Sequence, residues 1–201
     1  MFDAQLYPLT RRLADRAAIS IARAGVTAMG MSLAGFVLGL AALPAIATGH
    51  YGTGLALILL NRMADGLDGA LARREGPTDR GAFIDISLDF FFYGTVPLAF
   101  ALANPEANAL PACLLLLGFI GTGSSFLAFA SLAAKRGLAA QNFPKKGIYY
   151  LGGLTEGAET IAFFILICLA PQIFPGAAAI FAALCFITTI LRWNWGLRIL
   201  T

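Results

Sequence analysis

Apolar residues fall along this chain in runs of roughly twenty, the length a bilayer core requires of a helix. The runs cover residues 26–48, 52–72, 82–103, 109–133, 148–170 and 175–195. This pattern predicts an all-α polytopic membrane protein with six transmembrane helices. Ahead of them, residues 1–23 hold Leu6, Leu9, Leu13, Ala17 and Ile21 at helical spacing, with Arg11, Arg12, Asp15 and Arg16 between. That segment predicts an N-terminal amphipathic helix lying on the membrane surface. The chain is read as one domain over 1–201, with the surface helix at 1–23 and the six-helix bundle at 26–195. No convincing internal repeat is present, which counts against an inverted-repeat transporter.

Composition agrees with the pattern. The chain is 59% hydrophobic and only 12% charged, with a mean hydropathy of +0.78, which excludes an ordinary soluble globule. A net charge of +3 is modest, so its distribution matters more. Lys and Arg gather in the N-terminal segment, at 73–80, at 135–146 and beyond Leu191, while 49–51, 104–108 and 171–174 contain none. By the positive-inside tendency, both termini and the 73–80 turn face the cytoplasm. No cleavable signal is expected, because the first apolar run begins near Gly25 with no small-residue cleavage site before it. The expected location is the cytoplasmic (inner) membrane, with membrane lipid as surroundings and no nucleic-acid partner. Cys113, Cys168 and Cys185 lie in apolar runs without ligand-type spacing and read as small core hydrophobes. His50, the one histidine, lies at the opposite end of its helix from the acids, so any catalytic base must be a carboxylate.

The chemistry concentrates in residues 65–89, DGLDGALARREGPTDRGAFIDISLD. Asp65 and Asp68 are spaced i,i+3, and Asp85 and Asp89 i,i+4, so each pair shares a helix face. Gly76 and Pro77 punctuate the polar turn between them, predicting a helical hairpin. If Arg73 and Arg80 mark the water boundary, Asp68 and Asp85 lie about 7–8 Å inside it, and Asp65 and Asp89 about 12–14 Å. Four carboxylates that close, near a bilayer, cannot all stay ionised without cations. Hard oxygen ligands with no Cys or His nearby favour Mg²⁺ or Mn²⁺ over zinc. A centre of two ions is the natural hypothesis. Two alternatives stay open on the residues alone: a structural salt network with Arg62, Arg73, Arg74 and Arg80, and a membrane cation transporter or channel using intramembrane carboxylates.

Asp65-x2-Asp68-Gly69-x2-Ala72-Arg73 followed by Gly81-x3-Asp85-x3-Asp89 resembles the signature of the CDP-alcohol phosphatidyltransferases, six-span enzymes of phospholipid synthesis. Seven residues separate Arg73 from Gly81, one fewer than the commoner family spacing, which shortens the turn without shifting the helix faces. The resemblance implies transfer of a substituted phosphate, typically phosphatidyl from CDP-diacylglycerol, to a hydroxyl of a small polar alcohol with release of CMP. It implies that Asp65 and Asp85 touch both metal ions, that Asp68 binds one, and that Asp89 binds the other and acts as general base. Gly69, Arg73 and Thr78 would contact the CDP part of the donor, with Gly81 permitting close approach. The stretch Gly25-Val26-Thr27-Ala28-Met29 resembles the family's segment before the first span, with Ala28 and Met29 in place of the usual Pro and Asn. A homodimer is implied too, and the aromatic run Phe90 to Tyr93 would face a partner or lipid.

The acceptor is less legible. Lys135, Arg136, Lys145, Lys146 and Arg192 at the cytoplasmic mouth would suit a phosphorylated alcohol. Against that, Glu156 and Glu159 are expected inside the fifth span, where acids are usually functional. Thr155-Glu156-Gly157 resembles the choline and ethanolamine phosphotransferases, favouring an amine-bearing or uncharged polyol. The acceptor pocket is therefore expected to draw on Glu156, Glu159, Lys135 and Arg192, with pairing of Glu156 to Arg192 as the structural alternative.

Overall fold

The computed structural model describes residues 3–137 and 153–201, with side chains described from Arg11 onward except at residue 12. The described residues form helices throughout, with no strand: α1 (Asp3–Arg23), α2 (Ala28–Ala47), α3 (Tyr51–Glu75), α4 (Asp79–Ala103), α5 (Pro105–Lys135), α6 (Gly157–Leu169) and α7 (Phe174–Ile199). A single 3₁₀ turn, Pro171–Ile173, leads into α7.

The breaks follow local chemistry. Thr27 caps α2 by accepting a hydrogen bond from the Gly30 N–H, and Thr78 caps α4 by accepting from Gly81. Asn104 does the same for α5, with Pro105 at the first helical position. Gly76 ends α3 with φ of 95°, a left-handed conformation that side chains resist.

Four described stretches are long and apolar enough to cross a membrane: Ala28–Ala47, Asp79–Ala103, Pro105–Lys135 and Pro171–Ile199. Helix α3 has 25 residues but carries Arg62, Asp65, Asp68, Arg73, Arg74 and Glu75, which lower its apolar character. The expected fifth span differs most. Residues 148–152, with Lys145 and Lys146 before them, lie outside the described residues, and helix begins only at Gly157. The reason is a capping box: the Glu156 and Glu159 side chains satisfy the free N–H groups of the first turn. Glu156 Oε1 accepts from Gly153 N at 2.9 Å and Glu159 Oε2 from Glu156 N at 3.2 Å. Both acids thus stand at the start of α6. The preceding residues are tied to α7, where Thr188 Oγ1 accepts from the N–H groups of Leu154 and Thr155.

Helix α2 packs on both α3 and α4, α4 packs on α5, and α5 on α7, while α1 and α6 lean on α3. The largest core lies at the end of the bundle away from the 73–80 turn, around Ile46, Ile58, Phe92, Phe100, Phe164 and Phe174. Phe100 stacks on Phe174 with centroids 4.5 Å apart, and Phe163 stacks on Phe181 at the same distance. Cys168 and Cys185 belong to this core, whereas Cys113 sits on an exposed face of α5. A smaller cluster joins α1 to α3 through Ala18, Ala70 and Leu71, and leaves Leu13 and Ala17 of α1 exposed.

Lipid is as apolar as these side chains, so helix contact in a bilayer depends on close fit and hydrogen bonds. Both operate on α2. A Cβ on Gly35 would lie 2.7 Å from Ala64 Cβ, and one on Gly39 would lie 2.6 Å from Phe92 Cδ2. Asn61, buried on α3, donates from Nδ2 to the Gly35 carbonyl at 2.8 Å. Gly39→Val is therefore expected to destabilise the fold by about 1–3 kcal/mol through overpacking. Gly52→Ala, in open space on α3, is expected to leave it unchanged or slightly more stable. Thermal unfolding midpoints in detergent check both; equal midpoints for Gly39→Val and the parent chain would contradict the packing argument.

Candidate active site

The acidic hairpin has an open cleft. Helices α3 and α4 each pack extensively on α2, and a pocket lies between all three. Its lining is Ser32, Gly35 and Phe36 from α2, Asn61, Arg62, Asp65 and Asp68 from α3, and Asp85, Leu88 and Asp89 from α4. All four sequence-selected aspartates line it. The glycine contacts on α2 thus have a functional consequence, because they set how near the two acidic helices stand.

Within the pocket the acids divide into two groups. Asp65, Asp68 and Asp85 each offer one carboxylate oxygen, and these oxygens lie within 4.8 Å of one another. Asp68 is buried and accepts a hydrogen bond from Ser32 Oγ at 2.6 Å, which fixes its rotamer from α2. Asp89 is drawn the other way, with Oδ1 2.7 Å from Arg62 Nη2. Arg62 Nη1 also lies 3.6 Å from Asp65 Oδ2, an i,i+3 pair along α3.

The donor set fits a hard divalent cation. Oxygens around such an ion sit at about 2.1 Å, so opposite ligands are about 4.2 Å apart. The three carboxylate oxygens, within 4.8 Å of one another, would draw inward onto the ion. No thiol or imidazole lines the pocket, which disfavours zinc.

None of the residues implied for the nucleotide lines the pocket; they lie along the last turns of α3 and at the start of α4. Arg73 donates from Nη2 to Asp15 Oδ1 of α1 at 2.7 Å. That guanidinium holds the Asp15 carboxyl below its ordinary range. Thr78 spends its hydroxyl on the Gly81 N–H at the α4 start, and Gly69 lies one turn before Arg73 on α3. The Gly25–Met29 stretch meets the end of α3, where Ala28 N donates to Glu75 Oε1 at 3.0 Å.

The four residues expected for the acceptor do not line this pocket. Glu156 and Glu159 form the α6 capping box, and Lys135 is the last residue of α5. Arg192 is buried on α7, donates from Nη1 to the Thr122 carbonyl at 2.8 Å, and lies over the Phe126 ring. Of the arginines in the salt-network alternative, Arg62 reaches the aspartates, whereas Arg73 pairs with Asp15.

Sequence reasoning missed Ser32 and Asn61 and gave Arg62 only a bland role. A usable signal existed for two of them. Asn61 and Arg62 are polar residues inside an otherwise apolar run, and Arg62 stands three residues before Asp65. Ser32 gave no such signal, because serine is common in membrane helices and its partner is on another helix.

Comparison with known proteins agrees with the geometry. The family model for CDP-alcohol phosphatidyltransferase matches residues 21–193. The inner membrane protein YnjF of Escherichia coli K12 is 53% identical over 195 residues, covering 96% of this chain and 95% of that protein. Archaetidylinositol phosphate synthase of Methanothermobacter thermautotrophicus is 30% identical over 198 residues, covering 94% and 90%. Among solved structures, the phosphatidylinositol phosphate synthase of Mycobacterium tuberculosis with CDP-DAG bound has a TM-score of 0.64 at 21% identity, covering 91% of this chain and 92% of that one. The same enzyme in complex with manganese and citrate has a TM-score of 0.66 at 21% identity, covering 91% and 88%. At that identity the likeness concerns the fold. The match across 21–193, on a chain whose paired acidic motifs meet in one pocket, makes this protein a member of the CDP-alcohol phosphatidyltransferase family, a phosphotransferase of phospholipid synthesis.

Proposed function

We propose that this protein transfers a phosphatidyl-type group from a CDP-linked lipid, CDP-diacylglycerol in the first instance, to the hydroxyl of a small polar alcohol, releasing CMP. The observation that carries the reading is the convergence of Asp65, Asp68 and Asp85 beside Asp89 in one pocket of a family member. Family membership decides against the cation transporter or channel. In this reading the chain is one domain of six spans, with α3 and α6 counted among them. It resides in the inner membrane with both termini and the pocket facing the cytoplasm, and it forms a homodimer. The inner-membrane relative and the Lys/Arg asymmetry support that placement.

Two ions, Mg²⁺ or Mn²⁺, would be held by the four aspartates, with Asp65 and Asp85 shared, Asp68 on one and Asp89 on the other. When bound, such ions supply positive charge to the attacking and leaving oxygens of a phosphoryl displacement. The chain's own residues do the rest. Arg73 gives up Asp15 for a donor phosphate, for which a planar, permanently charged guanidinium is well suited. Gly81 and the capped α4 start leave backbone room. Asp89, the carboxylate outside the three-acid cluster, takes the proton of the attacking hydroxyl. The alcohol oxygen bonds to the lipid-bearing phosphorus, the bond from that phosphorus to the bridging oxygen breaks, and CMP departs with the electron pair.

An amine-bearing or uncharged polyol loses support as the acceptor, because Glu156 and Glu159 are engaged in capping α6. A phosphorylated polyol is the better proposal. The relative named as an archaetidylinositol phosphate synthase points the same way.

Purified protein given CDP-diacylglycerol, Mn²⁺ and a panel of alcohols is expected to release CMP, fastest with a phosphorylated polyol such as inositol phosphate. Silence with every acceptor would sink the proposal. Chelation should abolish release, and Mn²⁺ should restore it. Asp68→Asn and Asp85→Asn are each expected to lower the rate about 100-fold or more, the scale of losing one preorganised charge contact. Asp89→Asn should abolish turnover while Mn²⁺ binding at the other three carboxylates persists; full activity there would end the base assignment. Asp15→Asn, which frees Arg73, is expected to lower the donor KM about two- to fivefold with kcat unchanged, the range of an exposed ion pair. A raised KM would mean that Asp15 helps to bind the donor.

A further inference from the structure

Arg62 is the one cation among the pocket-lining residues, and it is held on every side. Its Nη2 lies 2.7 Å from Asp89 Oδ1 and its Nη1 3.6 Å from Asp65 Oδ2. Nε donates to Asn61 Oδ1 at 2.8 Å, and Nη1 reaches the Tyr93 hydroxyl at 3.4 Å. The guanidinium carbon stands 4.6 Å from the centroid of the Phe92 ring and 5.4 Å from that of Tyr93, both within cation–π range. Asn61 is itself anchored to α2 by its bond to the Gly35 carbonyl. A lysine has no fork to meet these partners together. This is a rigid, permanent positive charge built into the deep side of an acidic pocket.

We propose that Arg62 is a positioning residue that occupies Asp89 as a resident counter-ion. The first divalent ion then goes to Asp65, Asp68 and Asp85, and an ion that uses Asp89 binds only in exchange for the guanidinium. This inference rests on the metal reading above. Its basis is the division of the acids: three converge on one another, and the fourth is turned to Arg62. Two consequences follow from charge alone. Arg62 weakens the ion that shares its carboxylate, because like charges in a partly buried site repel strongly. It also leaves the loaded pocket one unit more positive than the carboxylates and ions alone, which favours an anionic pyrophosphate donor.

The test is a Mn²⁺ titration of the purified full-length protein, following free Mn²⁺ by electron paramagnetic resonance without substrate. The parent chain is expected to bind one Mn²⁺ tightly and a second at least about tenfold more weakly. Arg62→Met should tighten the weaker ion by about tenfold or more while lowering CMP release. Arg62→Gln, neutral but still a hydrogen-bond donor, should tighten it likewise if the Met variant does not fold. Arg62→Lys keeps the charge and should leave the weaker affinity within about threefold. Asp89→Asn should remove the weaker ion and spare the tight one. A merely structural arginine predicts the reverse sign, so unchanged or weaker Mn²⁺ binding in Arg62→Met or Arg62→Gln overturns the proposal. Absence of any Mn²⁺ binding to the parent chain overturns the metal reading, and this inference with it.

Discussion

Four carboxylates around one pocket in an apolar bundle repel one another, and the architecture depends on what offsets that repulsion. The Arg62 guanidinium engages Asp89 and Asp65, and the Ser32 hydroxyl engages Asp68. Buried charge without such partners is among the most costly arrangements a fold can hold. Each partner is fixed by something else: Arg62 by Asn61 and two aromatic rings, Ser32 by its place on α2. The acidic pocket is therefore as much a product of α2 and of the α4 aromatics as of the helices that bear the acids.

The position of α2 follows from shape. Two small residues, Gly35 and Gly39, bring it against Ala64, Asn61 and Phe92 at distances a side chain would forbid. Lipid competes equally for apolar contact, so fit and the Asn61 hydrogen bond decide where the helix rests. Phenylalanines in stacked and edge-on contact join α4, α6 and α7 into a dense core.

Polar contacts also gather beside the 73–80 turn. Arg73 ends α3 in contact with Asp15, so α1 is linked to the polar turn by an ion pair as well as by the Ala18–Leu71 contact. The Glu75 carboxylate caps the first N–H of α2, which ties the end of α3 to the start of α2. These polar links hold the end of α3 to the start of α2 and to the body of α1.

The i,i+3 and i,i+4 spacings, the turn at Gly76-Pro77 and the apolar runs already determined a helical membrane protein with paired acidic faces, because helix periodicity and bilayer thickness act on local sequence. The family motif was legible for the same reason: its residues lie on two neighbouring helices joined by a short turn. What only the tertiary structure decided was the division of the acids into three and one, since that depends on Arg62 being aimed by Asn61, Phe92 and Tyr93. It also decided the role of Ser32, whose partner is 36 residues away, and the capping role of Glu156 and Glu159. Charge and periodicity alone leave those acids equally suited to ligand binding; only the observed helix start at Gly157 gives their carboxylates neighbouring N–H groups to satisfy.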